Sequence, residues 1–356
     1  MQVRGTPFAA RTAAAAIALA LAAVSALAHP ASAHDAFVFT DYGIESGAPS
    51  SEWRKPALVL AGVAAAPATV DEFHYERQAA VWDASTERLL TMGGGMSCCR
   101  ELEERDVEGN LLRFEVFYDE VLPYRVEQLA TMGPRRVIGW GWGPNWPDDF
   151  RLFTFLREDP VGTLRTRDVL LEPTGMSCLG DGRIAVTHGD GTGFVRERGR
   201  GLVPFAVPMR ARWSSFDGAR LWMVGDGRVG FVPDTSGEPE SWSCELALVP
   251  AGIQPERVVS LKDGHTATYG FGGVTAFVGD ELTTAIAVPI RETPSPPAIA
   301  VGPGHRLWFS KASGAPANDA RGRAVVVDWL AHEPPVEWTV PGKVVALAAL
   351  DSQGAD

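Results

Sequence analysis

The chain has little lysine. Four residues, Lys55, Lys262, Lys311 and Lys343, serve a protein of net charge −12. No basic stripe is present, which argues against nucleic acid and anionic lipid as partners. Cysteine is also scarce, at Cys98, Cys99, Cys178 and Cys244, and no C-x-x-C spacing pairs with a second one. That arrangement excludes the common zinc-ribbon frameworks. There is no Gly-x-Ser-x-Gly elbow, no Walker loop and no His-Glu-x-x-His. The familiar signatures of serine hydrolases, P-loop enzymes and zinc proteases are therefore missing. Beyond the N-terminal segment no apolar run reaches spanning length, so the mature chain is expected to have no membrane span.

What is present begins with a leader. Arg4 and Arg11 precede the apolar run 13–28, and Ala31-Ser32-Ala33 ends it with small residues. This is the secretory pattern of a basic region, an apolar region and an A-x-A cleavage site. Ala26-Leu27-Ala28 is an alternative cleavage site, and a membrane anchor is the competing reading of the run. The expectation is a signal peptide over 1–33 and one domain over 34–356, exported to the periplasm or the exterior. Loss of Arg4 and Arg11 takes the net charge from −12 to −14, because 1–33 holds no acidic residue. An oxidising compartment makes disulfides among Cys98, Cys99, Cys178 and Cys244 an expectation, with three pairings open. A zinc site and a buried Cys178 thiol are the competing readings.

The mature region is dominated by strand signals. A hairpin recurs: a short apolar strand, a Gly- or Asp-containing turn, and a second strand. It reads Ala79–Asp83 with Arg88–Met92, Gln128–Met132 with Arg136–Trp140, and Met176–Leu179 with Arg183–Val186. It returns as Trp213–Phe216 with Arg220–Met223, Arg257–Leu261 with Thr266–Tyr269, and Ala298–Val301 with Arg306–Phe309. A period of roughly 40–50 residues with room for four strands marks a β-propeller. The last segment, Lys343–Asp351, matches a first strand whose second strand is absent. Three strands near the mature N-terminus, Ala36–Thr40, Ala57–Leu60 and Glu72–Glu76, supply the missing partners. The expected fold is an all-β, seven-bladed propeller with a split closing blade, and a six-bladed ring is the alternative. Arg100–Glu108 reads as a solvated strand or loop.

Pro297-Ala-Ile-Ala-Val-Gly-Pro-Gly-His-Arg-Leu-Trp-Phe-Ser310 resembles the blade consensus of NHL, two-component-regulator and streptogramin-lyase-like propellers, and Phe216–Val224 is similar. The resemblance implies blade architecture. The lyase family's catalytic His and Glu find no matching positions, so no activity is implied. The recurring Trp-Asp dipeptide of WD-repeat blades and the sialidase Asp box are absent.

Blade order gives the two rims different content. The Asp-Gly turns, with His265 and His305, fall on one rim, where both histidines read as solvent-facing turn residues. Loops leaving the second strands fall on the other rim, where a rigid scaffold usually presents ligand-binding residues. There Trp142 and Trp146 precede Asp148 and Asp149, a set suited to stacking on a sugar and accepting its hydroxyls. Packing of the Trp rings between blades is the plainer reading. His188 and Asp190, joined by Asp148 or Asp149, form a candidate divalent-metal site, and a self-satisfied turn is the plainer reading there. The leading functional expectation is a binder of a small molecule, glycan or protein at the channel mouth, with no identified cofactor. The alternatives are a metal-assisted lyase or hydrolase, built around His188, Asp190 and Asp148, and a carbohydrate-binding module.

Overall fold

The computed structural model describes residues 35–41, 57–62, 66–73, 77–94, 100–117, 122–123, 125–143, 149–169, 172–197, 200–261, 263–294, 297–312, 322–329 and 334–350. The expected leader over 1–33, Cys98, Cys99, Trp146 and Asp148 lie outside them. Among the described residues, seven antiparallel sheets of four strands form the seven blades.

The chain enters through β1 (Ala36–Thr40), β2 (Ala57–Ala61) and β3 (Ala68–Glu72). Six continuous blades follow: β4–β7 over 77–117, β8–β11 over 125–169, β12–β15 over 173–206, β16–β19 over 213–247, β20–β23 over 254–287, and β24–β27 over 299–340. We number these blades one to six. The final strand, β28 (Val344–Ala349), returns to pair with β1, in the order β28-β1-β2-β3. Val38 lies opposite Leu347, and Ala36 opposite Ala349. The closing blade is therefore split between the two ends of the chain, which leaves no open gap in the ring. The third strand of this blade is Ala68–Glu72 rather than the expected Glu72–Glu76. Phe73 follows it as a buried side chain, which explains the misplaced apolar signal, and 74–76 lie outside the described residues.

Both faces of each blade are covered by neighbours, so a blade strand divides its side chains between two interfaces. The second strand of blade four, β17 (Leu221–Gly225), shows the rule. Leu221 and Met223 pack toward blade three, while Trp222 and Val224 pack toward blade five. The period-2 alternation that would separate core from solvent in an exposed sheet here separates one core from another. Among the described residues seven apolar clusters fill the seven interfaces.

The turn after β16 (Trp213–Phe216) explains the recurring Asp-Gly. Asp217 is buried, and its carboxylate accepts from the amides of Ala219 at 2.9 Å and Arg220 at 2.6 Å. It also accepts from Trp222 Nε1 at 2.9 Å. One side chain thus closes the turn and satisfies the indole at the core. Asp217→Ala is expected to cost about 2–4 kcal/mol, since three donors lose their acceptor. Urea denaturation of the two proteins measures it.

Two expectations need correction. The charged run at 100–108 forms the expected strand over 100–105, but that strand is largely buried rather than solvated. Strand β6 (Arg100–Arg105) buries Arg100, Leu102, Glu103 and Arg105. Glu103 neutralises the interior by accepting from Arg77 Nη2 at 2.5 Å and Arg105 Nε at 2.9 Å. The second concerns a disulfide between Cys178 and Cys244; Cys98 and Cys99 lie outside the described residues, and a bridge between those two is not described. Cys178 and Cys244 are free thiols. Cys178 packs against the interface of blades two and three, and Cys244 against that of blades three and four, so the two face different cores. Burial pushes both thiols up to about 11, with the Glu245 carboxylate adding to the effect at Cys244.

Candidate functional site

Seven strands line the central channel: β28, β4 (Arg77–Asp83), β8 (Arg125–Met132), β12 (Pro173–Cys178), β16, β20 (Gln254–Ser260) and β24 (Ile299–Gly302). Each is an edge strand of its sheet. They enclose a cavity of about 700 Å³. The turns that follow these strands define the lower rim, and their starts define the upper mouth.

Most polar side chains of the channel tie neighbouring inner strands together. The amide of Val126 donates to Gln78 Oε1 at 2.9 Å, and that of Met176 to Gln128 Oε1 at 2.9 Å. Ser177 and Ser214 hydroxyls meet at 2.9 Å, and the Ser260 amide donates to Ser215 Oγ at 2.9 Å. Within β8 itself, Arg125 pairs with Glu127 at 2.7 Å. These groups hold the ring and are engaged with one another.

Arg257 differs. Its guanidinium carbon lies 4.3 Å from the centre of the Trp213 ring, a cation–π contact. Nη1 donates to the Glu256 carbonyl oxygen at 3.1 Å. Among the described residues no carboxylate lies within ion-pair distance of it. Burial lowers its pKa from the ordinary arginine value, and Arg212 and Arg125 add to this, while Glu127 and Glu256 oppose it. Arginine remains charged through any such shift. A register shift between Pro255 and Arg257 sets this geometry, since a bulge re-aims the side chains beside it.

The upper rim also receives the residues singled out from the sequence. Trp142 ends β9 (Arg136–Trp142), with its ring centre 4.8 Å from that of Phe150. Asp149 accepts from Arg151 Nε at 3.1 Å and Nη2 at 3.0 Å. His188 ends β13 (Ile184–His188), buried, with its ring edge-on to Phe194 at 5.4 Å. Asp190 Oδ1 accepts from the Thr192 amide at 2.9 Å and the Thr192 hydroxyl at 2.6 Å, which closes the turn and holds its pKa low. Trp146 and Asp148 lie outside the described residues, so their place beside these groups is not described.

The lower rim brings together a set that the sequence reading treated one residue at a time. His265 opens β21 (His265–Phe271), and His305 directly precedes β25 (Arg306–Ala312). The two occupy the same turn in adjacent blades, and their ring centres are 3.9 Å apart. Asp263 bridges them: Oδ1 is 2.9 Å from His265 Nδ1, and Oδ2 is 2.7 Å from His305 Nε2. Both rings lie over buried Trp329, at 5.7 and 6.3 Å between centres. The signal was available in principle, because equivalent turn positions of consecutive blades are neighbours in any propeller.

No protein-family model matches the chain, and no curated protein matches it in sequence. Among solved structures it is similar to apo AztD from Citrobacter koseri, with a TM-score of 0.56 and 12% identity over 89% of this chain and 98% of that one. It is also similar to the RRP9 WD40 repeats, with a TM-score of 0.59 and 12% identity over 80% of this chain and 86% of that one. At this identity the likeness is one of fold. It supports the seven-bladed ring and does not single out the NHL or streptogramin-lyase-like type. Among the described residues no helix is long and apolar enough to cross a membrane.

Proposed function

We propose that the protein is an exported binding propeller that holds a small organic anion at the upper channel mouth. The observation that carries this reading is Arg257, a guanidinium set over Trp213 and facing an open cavity, with no carboxylate of the described residues in ion-pair range. Arg257 is half-buried, and a cation partly withdrawn from water without a salt bridge is unfavourable on its own. A carboxylate or phosphate ester supplies the missing partner through charge-assisted hydrogen bonds, and guanidinium geometry suits both. The aliphatic channel wall beside it, including Val259 and Ile299, accommodates an apolar portion of the same ligand. The proposal involves no catalysis, in keeping with the absence of a nucleophile–base pair in the motifs. Export rests on the basic, apolar, A-x-A order of 1–33.

Calorimetry of the mature chain against a panel of organic carboxylates and phosphate esters tests this. At least one is expected to bind, with neutral analogues silent. Arg257→Gln is expected to weaken that binding about 10–100-fold, the range for one lost charge-assisted contact. Equal affinity in wild type and variant would overturn the reading. Selective binding of neutral glycans, with a change in Trp fluorescence, would instead favour the rim around Trp142, Trp146 and Asp149. Metal-dependent turnover lost in His188→Ala would favour the lyase or hydrolase alternative.

A further inference from the structure

We infer that Asp263, His265 and His305 form a binding site for one divalent transition-metal ion on the lower rim, at the opposite end of the channel from Arg257. The ligand atoms of these three side chains all lie within 4.8 Å of one another, and they are the one such set found among the described residues. Two imidazoles and one carboxylate match the donor preference of Zn²⁺, Ni²⁺ and Cu²⁺, and not that of Ca²⁺ or Mg²⁺, which take oxygen ligands.

The set is built rather than incidental. The His265 amide donates to Asp263 Oδ1 at 3.1 Å, which fixes the carboxylate relative to the strand. Trp329 supports both rings from below, so neither is free to swing inward. His305 holds its ring in place from a left-handed backbone, at φ 61°, an unfavourable conformation for a residue with a Cβ.

A second observation points to a ligand. His265 Nδ1 is buried and makes no well-directed hydrogen bond. Its 2.9 Å approach to Asp263 Oδ1 is close enough for an ion pair but poorly angled for donation. A buried ring nitrogen in this state has an unused lone pair or an unaccepted proton. A metal ion between the three groups uses that lone pair, at nitrogen and oxygen distances of about 2.0–2.2 Å. Donors around a four-coordinate ion with such bonds stand about 3.4 Å apart, so the rings and carboxylate, now 2.7 and 2.9 Å apart at two different oxygens, must separate by roughly half an ångström to surround it. Three protein ligands leave a fourth position, which solvent or a partner's side chain completes.

The test uses the full mature chain without an affinity tag, titrated with Zn²⁺ by calorimetry and with Co²⁺ by absorbance. One ion per chain is expected, and Co²⁺ should give the intense visible bands of a four-coordinate nitrogen–oxygen site. His305→Ala and Asp263→Asn should each weaken Zn²⁺ binding on the order of 100-fold, as expected for losing one of three ligands. Cu²⁺ electron paramagnetic resonance should show coupling to two nitrogens, and to one in His305→Ala. His188→Ala should bind as wild type. Both single variants change exposed or half-buried side chains, and circular dichroism confirms their folding. Folded wild-type chain that binds no stoichiometric Zn²⁺ overturns the proposal. So does binding that persists unchanged in the His305→Ala/Asp263→Asn double variant.

Discussion

Removal of residues 343–356 is expected to abolish cooperative folding. The deletion takes away the whole inner strand of the closing blade. Val344, Leu347, Ala348, Ala349 and Leu350 are all buried. Their loss opens the interface with blade six, where Trp308 and Val326 pack, and the interface with blade one, where Leu89 packs. It also strips the pairing partner from β1 and leaves that strand as a hydrophobic edge, a template for association. The expected result is the loss of a single sharp thermal transition, together with aggregates on size exclusion. Adding a peptide spanning 341–352 in excess should restore the transition in part. A truncated chain that melts as one sharp step at the wild-type temperature would mean that the ring is closed in some other way.

The second large effect is expected at Glu103. This carboxylate sits between Arg77 and Arg105, and all three side chains are buried. Arg105 also reaches Asp71 on β3 at 2.5 Å, and so ties the closing blade to blade one. Both guanidinium groups lie over Phe73, at 4.4 and 5.4 Å from the ring centre. Glu103→Ala leaves two buried cations short of one anion. A loss of about 3–5 kcal/mol is expected, because breaking a buried ion pair on one side strands the other charge. Glu101→Ala should cost less, since Glu101 is closer to solvent and contacts Arg77 alone at 2.6 Å. Guanidinium denaturation of the three proteins separates these outcomes. Equal stability of wild type and Glu103→Ala would show that the network contributes nothing.

The ring was legible because its repeat is local. Each hairpin lies within about fifteen residues, and Asp217 shows why its turn keeps an aspartate. The split blade was legible for a related reason, since Val344–Ala349 reads as half of a unit that recurs six times. The burial of Arg100–Arg105 was not legible. Its charges are neutralised by Arg77 and Asp71, which come from other strands, and a charge run in isolation reads as a solvated face. The histidine pair escaped for the same reason. His265 and His305 lie forty residues apart in sequence and meet only because blades five and six are adjacent. Arg257 gave no sequence signal at all. Its interest depends on which residues fail to reach it, and that is a property of the closed channel.

The inner strands have one more consequence. Each is the edge of its sheet, hydrogen-bonded on one side, with its other row of peptide groups turned toward the bore. Neighbouring side chains cap some of these groups, as at the amides of Val126, Met176 and Ser260. The wall of the bore is thus an amide surface, even where its side chains are Ala80, Val259 or Ile299. Point mutation cannot remove main-chain polarity. A lineage of such proteins is free to exchange the few charges at the mouth, and with them its choice of guest, while the bore stays wettable and unchanged.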